Sequence, residues 1–304
     1  MKKILVVGSV ALDTIRTPQV KGDYILGGSA VHFVNASAIL GVPVDLVGVV
    51  GEDFKSEYKE FLIKKKANIS GLLSKPGKTF HWEGYYENDM NQAYTVKTEL
   101  NVFENFQPHI PDSYKNDPFV FLANIDPVLQ LNVLDNMNSP EFVVSDTMNL
   151  WIETKKKDLE KVISRSNIIF FNEAEIRQYT GIMNIVKAAR KVIETGPSFV
   201  IVKRGEYGFL LAGKDELFCA PGMIVEQVVD PTGAGDSFAG GFMSYLSVKE
   251  RLNFKNFCKA AVYANLVASF NVEGLGIERL NNITFKDVKI RFQKYKKFIK
   301  GYDL

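Results

Sequence analysis

Cysteine is almost missing from this chain. Cys219 and Cys258 stand far apart and in no CxxC spacing, which excludes a disulfide framework and a cysteine-held structural zinc site. That usage suits a reducing compartment, and a cytoplasmic location is expected. Histidine is also sparse: His32, His81 and His109 are scattered, which argues against a histidine metal cluster. No window reaches the ~18 consecutive apolar residues that a membrane span requires. The opening MKKILVVGSVALD sets two lysines before an apolar run, but Ser9 and Asp13 break the run too early for a signal peptide, so a first β-strand is expected there. Excess charge is missing too. With 37 Lys plus Arg against 35 Asp plus Glu, the net charge of +2 supplies no field for nucleic acid or an anionic membrane, and a small-molecule partner is the simpler expectation. Four motifs are absent: GxxxxGK[ST], HExxH, GxSxG, and GxGxxG after a strand. Their absence removes the common nucleotide-binding, zinc-protease and α/β-hydrolase signatures.

What the chain does have is a rhythm. Apolar runs recur at Ile4–Val7, Val44–Val50, Phe119–Leu122, Phe142–Val144, Ile168–Phe171 and Phe199–Val202, as expected of strands buried on both faces. Helical spacing fills the gaps at Val31–Leu40, Ser56–Lys66, Val128–Met137, Thr154–Ser164, Glu173–Tyr179 and Ile185–Glu194. Alternation of this kind predicts an α/β fold, a doubly wound and mostly parallel sheet flanked by helices. With 304 residues the whole chain is expected to be a single α/β domain.

Two segments break the rhythm. Thr14–Ile25 reads as a short polar insertion. Lys78–Val102, rich in Thr, Tyr and Trp with a turn-like Asn88–Asn91, reads as a β-hairpin outside the parallel sheet, either a small β lid or an edge hairpin that only covers it. Lid segments are therefore expected at about 14–25 and 78–102. Beyond Phe218 the chain turns helical, to about Leu246, from about Phe254 to Phe270, and from Phe285 to Ile299. The basic run Lys294–Lys300 reads as a solvated helix face, since no matching basic stripe exists elsewhere.

The stretch VVDPTGAGDSFAGGF, Val228–Phe242, lies between those regimes. Gly233, Ala234 and Gly235 let backbone come close to a ligand, and the helix expected from Ser237 would offer unpaired N–H groups and a dipole that favour an anion. Asp236 brings a negative charge into that loop. Beside an anion hole a carboxylate can take the proton of an attacking hydroxyl, but an Asp at a helix start can also serve only the helix. The loop alone leaves both open.

DPTGAGDSFAGGF resembles the C-terminal signature of the ribokinase-like (PfkB) carbohydrate kinase family. The chain carries that family's other blocks in order: GSVALD at Gly8–Asp13, GG at Gly27 and Gly28, VGVVGEDF at Val47–Phe54, NEAE at Asn172–Glu175, and VKRGEYG at Val202–Gly208. The resemblance implies an ATP-dependent, Mg²⁺-requiring kinase that phosphorylates a hydroxyl of a small sugar-like acceptor, with a nucleoside kinase or a non-catalytic sensor as alternatives. It implies Asp236 as base and Gly233, Ala234 and Gly235 as the anion hole. Asn172 and Glu175 match the motif that organises Mg²⁺ and nucleotide phosphates, with Glu175 acting through water; the same pair can also serve as a helix cap with an acid in its first turn, and the two roles are compatible. Lys203, Gly205, Gly208 and Asn265 fall where relatives line the nucleotide, although Asn265 can also be a satisfied core amide. Asp230 and Thr232 match a loop that in some relatives binds a monovalent cation such as K⁺. On the acceptor side the resemblance implies Asp13 and Gly28, with Asn124 as a further polar contact. His32 is counted with these acceptor-side residues, at a position where ribokinase-type relatives carry Asn, a departure that argues against ribose itself as the acceptor. The lid would exclude water, and in several relatives it also forms a homodimer.

Overall fold

The computed structural model describes residues 1–300, without the Lys300 side chain. Nine strands form the main sheet: β1 (Ile4–Val7), β4 (Val44–Val50), β5 (Ala67–Ser74), β8 (Phe119–Leu122), β9 (Phe142–Ser145), β10 (Ile168–Asn172), β11 (Phe199–Lys203), β12 (Phe209–Ala212) and β13 (Leu217–Ala220), in the order β13-β12-β11-β10-β9-β8-β1-β4-β5. From β11 to β5 every pairing is parallel, and β12 and β13 add an antiparallel edge. The apolar runs of β1, β4, β8 and β9 are buried along their whole length, which is why they lack the alternation of a half-exposed strand.

The helices are α1 (Ser29–Ser37), α2 (Ser56–Lys64), α3 (Pro127–Asp135), α4 (Asn149–Thr154), α5 (Lys156–Ser164), α6 (Glu173–Thr180), α7 (Ile185–Ile193), α8 (Ala234–Ser247), α9 (Phe254–Asn271), α10 (Glu278–Asn281) and α11 (Phe285–Lys300). Helix α1 is buried at all nine positions and packs against α8, which packs in turn on α9. One large apolar cluster joins these helices to the sheet through residues such as Phe33, Phe121, Phe170 and Phe242. Lys294, Lys296 and Lys297 of α11 are solvent-accessible while Tyr295 between them is buried, the solvated face expected.

The polar segment Thr14–Ile25 lies within an antiparallel hairpin formed by β2 (Ala11–Arg16) and β3 (Lys21–Gly27). Its partner is the second hairpin, β6 (Phe80–Tyr86) and β7 (Ala93–Glu99), and β2 pairs with β6 in parallel to give a separate sheet ordered β3-β2-β6-β7. The β2–β6 pairing joins residues 69 apart, as Ala11 with Phe80, so nothing local in Thr14–Ile25 announces it. Strand β5 also escapes the sequence pattern, because its residues ANISGLLS mix buried and exposed positions without a clean period.

Candidate active site

At the C-terminal edge of the main sheet, strand ends present Asn124, Asp146, Asn172 and Lys203, and the N-termini of α1 and α8 lie against the same region. Helix α8 begins at Ala234, three residues earlier than expected, with Gly233 as its N-cap in the left-handed region (φ 72). Two of the three small residues are therefore the first helical turn rather than a preceding loop. The Ala234 N–H donates to the Pro231 carbonyl, so it is not a free donor. Among the described residues, the N–H groups of Gly235 and Asp236 have no backbone partner, as befits the first turn of a helix.

Asp236 occupies that turn. Burial, then Asp146, push its carboxyl up to about 7, against the pull of the nearby Lys203 ammonium. The ammonium sits over Gly235, where a Cβ would lie 3.0 Å from Nζ, so the glycine makes room for a cation. Lys203 Nζ donates to Asp146 Oδ2 at 2.6 Å. Burial disfavours its charge, but Asp146 and Glu175 outweigh that and hold the ammonium above its ordinary range. Asp146 carries no signal in the sequence; it follows β9 in a stretch with no recognisable local pattern.

Asn172 and Glu175 form a reciprocal cap on α6, with Asn172 Oδ1 accepting from Glu175 N at 2.8 Å and Glu175 Oε2 accepting from Asn172 N at 2.6 Å. The half-buried Glu175 carboxyl is also pushed up to about 7, by burial first, while Lys203 opposes and Asp146 and Asp236 add to the rise. The result is three carboxylates, Asp146, Glu175 and Asp236, around one ammonium.

On the opposite wall, Asp13 lies in the middle of β2 rather than just past the first strand, with its carboxylate against Gly27, where a Cβ has no space. Burial pushes it up to about 7, the Gly28 N–H pulls it down, and Asp230 and Asp236 raise it further. Gly28 (φ 95) caps α1 in a position where a side chain would meet Ser9 and Ala11 backbone. The same wall supplies Tyr86, the last residue of β6. Its hydroxyl lies 3.2 Å from Thr232 Oγ1 and is shifted upward, by burial first and then, despite the Thr232 bond, by Asp230, Asp13 and Asp236. Only the alternation along β6 could have pointed to it.

His32 requires correction as an acceptor contact. It is 1% exposed. Because α1 starts at Ser29 and packs on α8, the imidazole lies beneath Gly233 and would collide with any Cβ there. Burial holds it neutral, down to about 4, although its bond to Asn271 opposes this. Nδ1 lies 3.3 Å from Asn271 Oδ1, the same oxygen accepts from Ser237 Oγ, and Asn271 Nδ2 donates to the Thr232 carbonyl. His32 therefore supports the turn from behind. Asn265 is likewise committed, donating from Nδ2 to the Pro221 carbonyl, and Asn124 Oδ1 accepts from Trp151 Nε1. Gly205 (φ 55) faces open space, and Gly208 (φ 84) closes the β11–β12 turn where a side chain would strike Ala220 and Pro221. Asp230 accepts from the N–H groups of Thr232 and Gly276. The Thr232 carbonyl accepts from Asn271 Nδ2, so the loop is held in place by hydrogen bonds from within the chain. A cavity of about 740 Å³ opens between the hairpin tips, lined in part by Thr17, Tyr85 and Tyr86, and adjoins this site through Thr17 and Tyr86.

Residues 1–281 match the pfkB family of carbohydrate kinases. The chain is 32% identical over 248 residues to a cytidine kinase of Thermococcus kodakarensis, covering 80% of this chain and 88% of that one. It superposes on the crystal structure of the Methanocaldococcus jannaschii nucleoside kinase, an archaeal member of the ribokinase family, with a TM-score of 0.79 at 26% identity over 97% and 99% of the two chains. An E. coli protein described as a putative ribokinase II, in complex with ATP and Mg²⁺, shares the fold with a TM-score of 0.81 at 18% identity over 97% and 100%.

Proposed function

The chain belongs to the pfkB family of carbohydrate kinases, and from that premise we propose that it transfers the γ-phosphoryl group of ATP to a hydroxyl of a sugar or nucleoside, with Asp236 as general base. The observation that carries this reading is the adjacency of Asp236, the N–H groups of Gly235 and Asp236 that no backbone carbonyl satisfies, and the Lys203 ammonium above Gly235. Asp13, on the facing strand, is the acceptor's anchor, and its carboxylate would accept sugar hydroxyls.

The acceptor oxygen attacks the γ-phosphorus while its proton passes to the Asp236 carboxylate. The new O–P bond forms as the bond to the β–γ bridging oxygen breaks, and that oxygen leaves with the electron pair on ADP. Charge spreading over the transferring group meets the N–H groups of Gly235 and Asp236 and the ammonium of Lys203. A carboxyl held near 7 suits a general base, because a large fraction of it is ionised at physiological pH and the carboxylate is basic enough to accept a proton.

The donor set fits a magnesium nucleotide. Asp146 and Glu175 bring carboxylate oxygens beside the Lys203 ammonium, and Mg²⁺ favours such oxygens while it retains waters and phosphate oxygens. Glu175 and Asp146 would hold it from the protein side. When bound it would neutralise phosphate charge. No helix among the described residues is long and apolar enough to cross a membrane.

The direct test is ADP formation by the purified chain with MgATP and a panel of sugars and nucleosides. Acceptor-dependent ADP release accompanied by a phosphorylated acceptor is expected. Binding of acceptors without any turnover would instead mark a sensor that has kept the fold.

A further inference from the structure

Trp82 lies on β6, is half-buried, and joins none of the three apolar clusters of the molecule. Its register partner is Asp13 on β2, so the two side chains leave neighbouring strands on the same face of the small sheet. Two residues on is Gly84 and two beyond that Tyr86, whose hydroxyl accepts from Thr232 Oγ1 beside the start of α8. This face therefore looks into the cleft. The indole lies along the strand on Gly84: a Cβ there would fall well inside contact distance of the six-membered ring, so glycine is what allows the ring to lie flat. At its edge Nε1 donates to Thr95 Oγ1 at 3.1 Å, fixing the ring's rotation. Among the described residues no other aromatic ring stacks on it.

Resting on the kinase reading above, we propose that Trp82, seated on Gly84 and tied to Thr95, is a stacking platform for a planar heteroaromatic base. The acceptor is accordingly a nucleoside whose sugar hydroxyls reach Asp13, rather than a free pentose. An aromatic plane fixed at edge and underside loses little entropy on binding, and base–aromatic stacking of this kind changes affinity by roughly 10- to 100-fold.

The experiment is a fluorescence titration of the full chain without ATP, using cytidine, adenosine, inosine and ribose. Subtracting the signal of W82F isolates Trp82 from Trp151. At least one nucleoside should quench Trp82 while ribose does not, and W82A should raise KM for that nucleoside roughly 10- to 100-fold while leaving KM for ATP unchanged, with W82F restoring most of the loss. G84A, which must lift the indole without removing it, should weaken the nucleoside in the same direction and serves if W82A does not fold. Absence of quenching by every nucleoside, equal quenching by ribose, or unchanged nucleoside affinity in the folded variants overturns the proposal. Because quenching needs no turnover, a chain that binds but does not phosphorylate would refute the kinase reading and leave the platform standing.

Discussion

Asp236 sits in conflicting fields. The α8 N-terminus favours its charge, while burial and Asp146 oppose it, and the balance lies at about 7 rather than in the ordinary carboxylate range. The protonated acid cannot act as base, so kcat/KM should fall on the acid side of about pH 7 by tenfold or more per unit, with Asp13 and Glu175 titrating in the same range and steepening the limb. A profile flat from pH 5 to 8 would remove Asp236 from that role. Stability carries the opposite sign. Between 3.8 and about 7 the native state holds a proton that the unfolded chain has lost, so the group's contribution declines as pH rises through that window. D236N should therefore gain thermal stability over the wild type more at pH 8 than at pH 5, as melting curves would register. Asp236 is legible in the sequence because its neighbours are a signature. Asp146, Tyr86 and Trp82 are not, since each enters the site through strand register. His32 misleads for a related reason: helical phase decides which way a side chain faces, and α1 turns it toward α8.

At the scale of elements, the start of α8 depends on two glycines in different ways. Gly233 needs positive φ and lies on the His32 ring; Gly235 is already helical, and its added methyl would meet only the flexible end of Lys203. G233A should cost about 2–5 kcal/mol in denaturant unfolding, from left-handed strain and overpacking together. G235A should hold stability within about 1 kcal/mol, since alanine is the better helix former, yet depress turnover by displacing the ammonium. Equal loss of stability in both variants would contradict this division. The parallel core strands and the long helices can be read from periodicity, because burial on both faces and on one stripe leave distinct patterns. The second sheet can be read only by halves: the hairpin β6–β7 announces itself, whereas the polar β2–β3 hairpin does not, and its pairing with β6 is long-range.

Taken whole, the molecule joins an α/β body to a small sheet that is hydrogen-bonded to the turn before α8 at two points, Thr17 Oγ1 on the Val229 carbonyl at 2.9 Å and Tyr86 on Thr232. A wall fastened there would keep water from the transferring phosphoryl group. Y86F retains the ring and loses one fastening, so it should release more ADP than phosphorylated acceptor, a ratio above the wild type's that product counting can measure; an unchanged ratio would show that this bond does not govern closure. The role of Asp236 is tested most directly by one comparison: phosphoryl transfer by the wild type and by D236N, each shown by thermal shift to be folded and to bind nucleotide. We predict a fall of ~10² or more in kcat with binding preserved. Full turnover in D236N would contradict the assignment of the base.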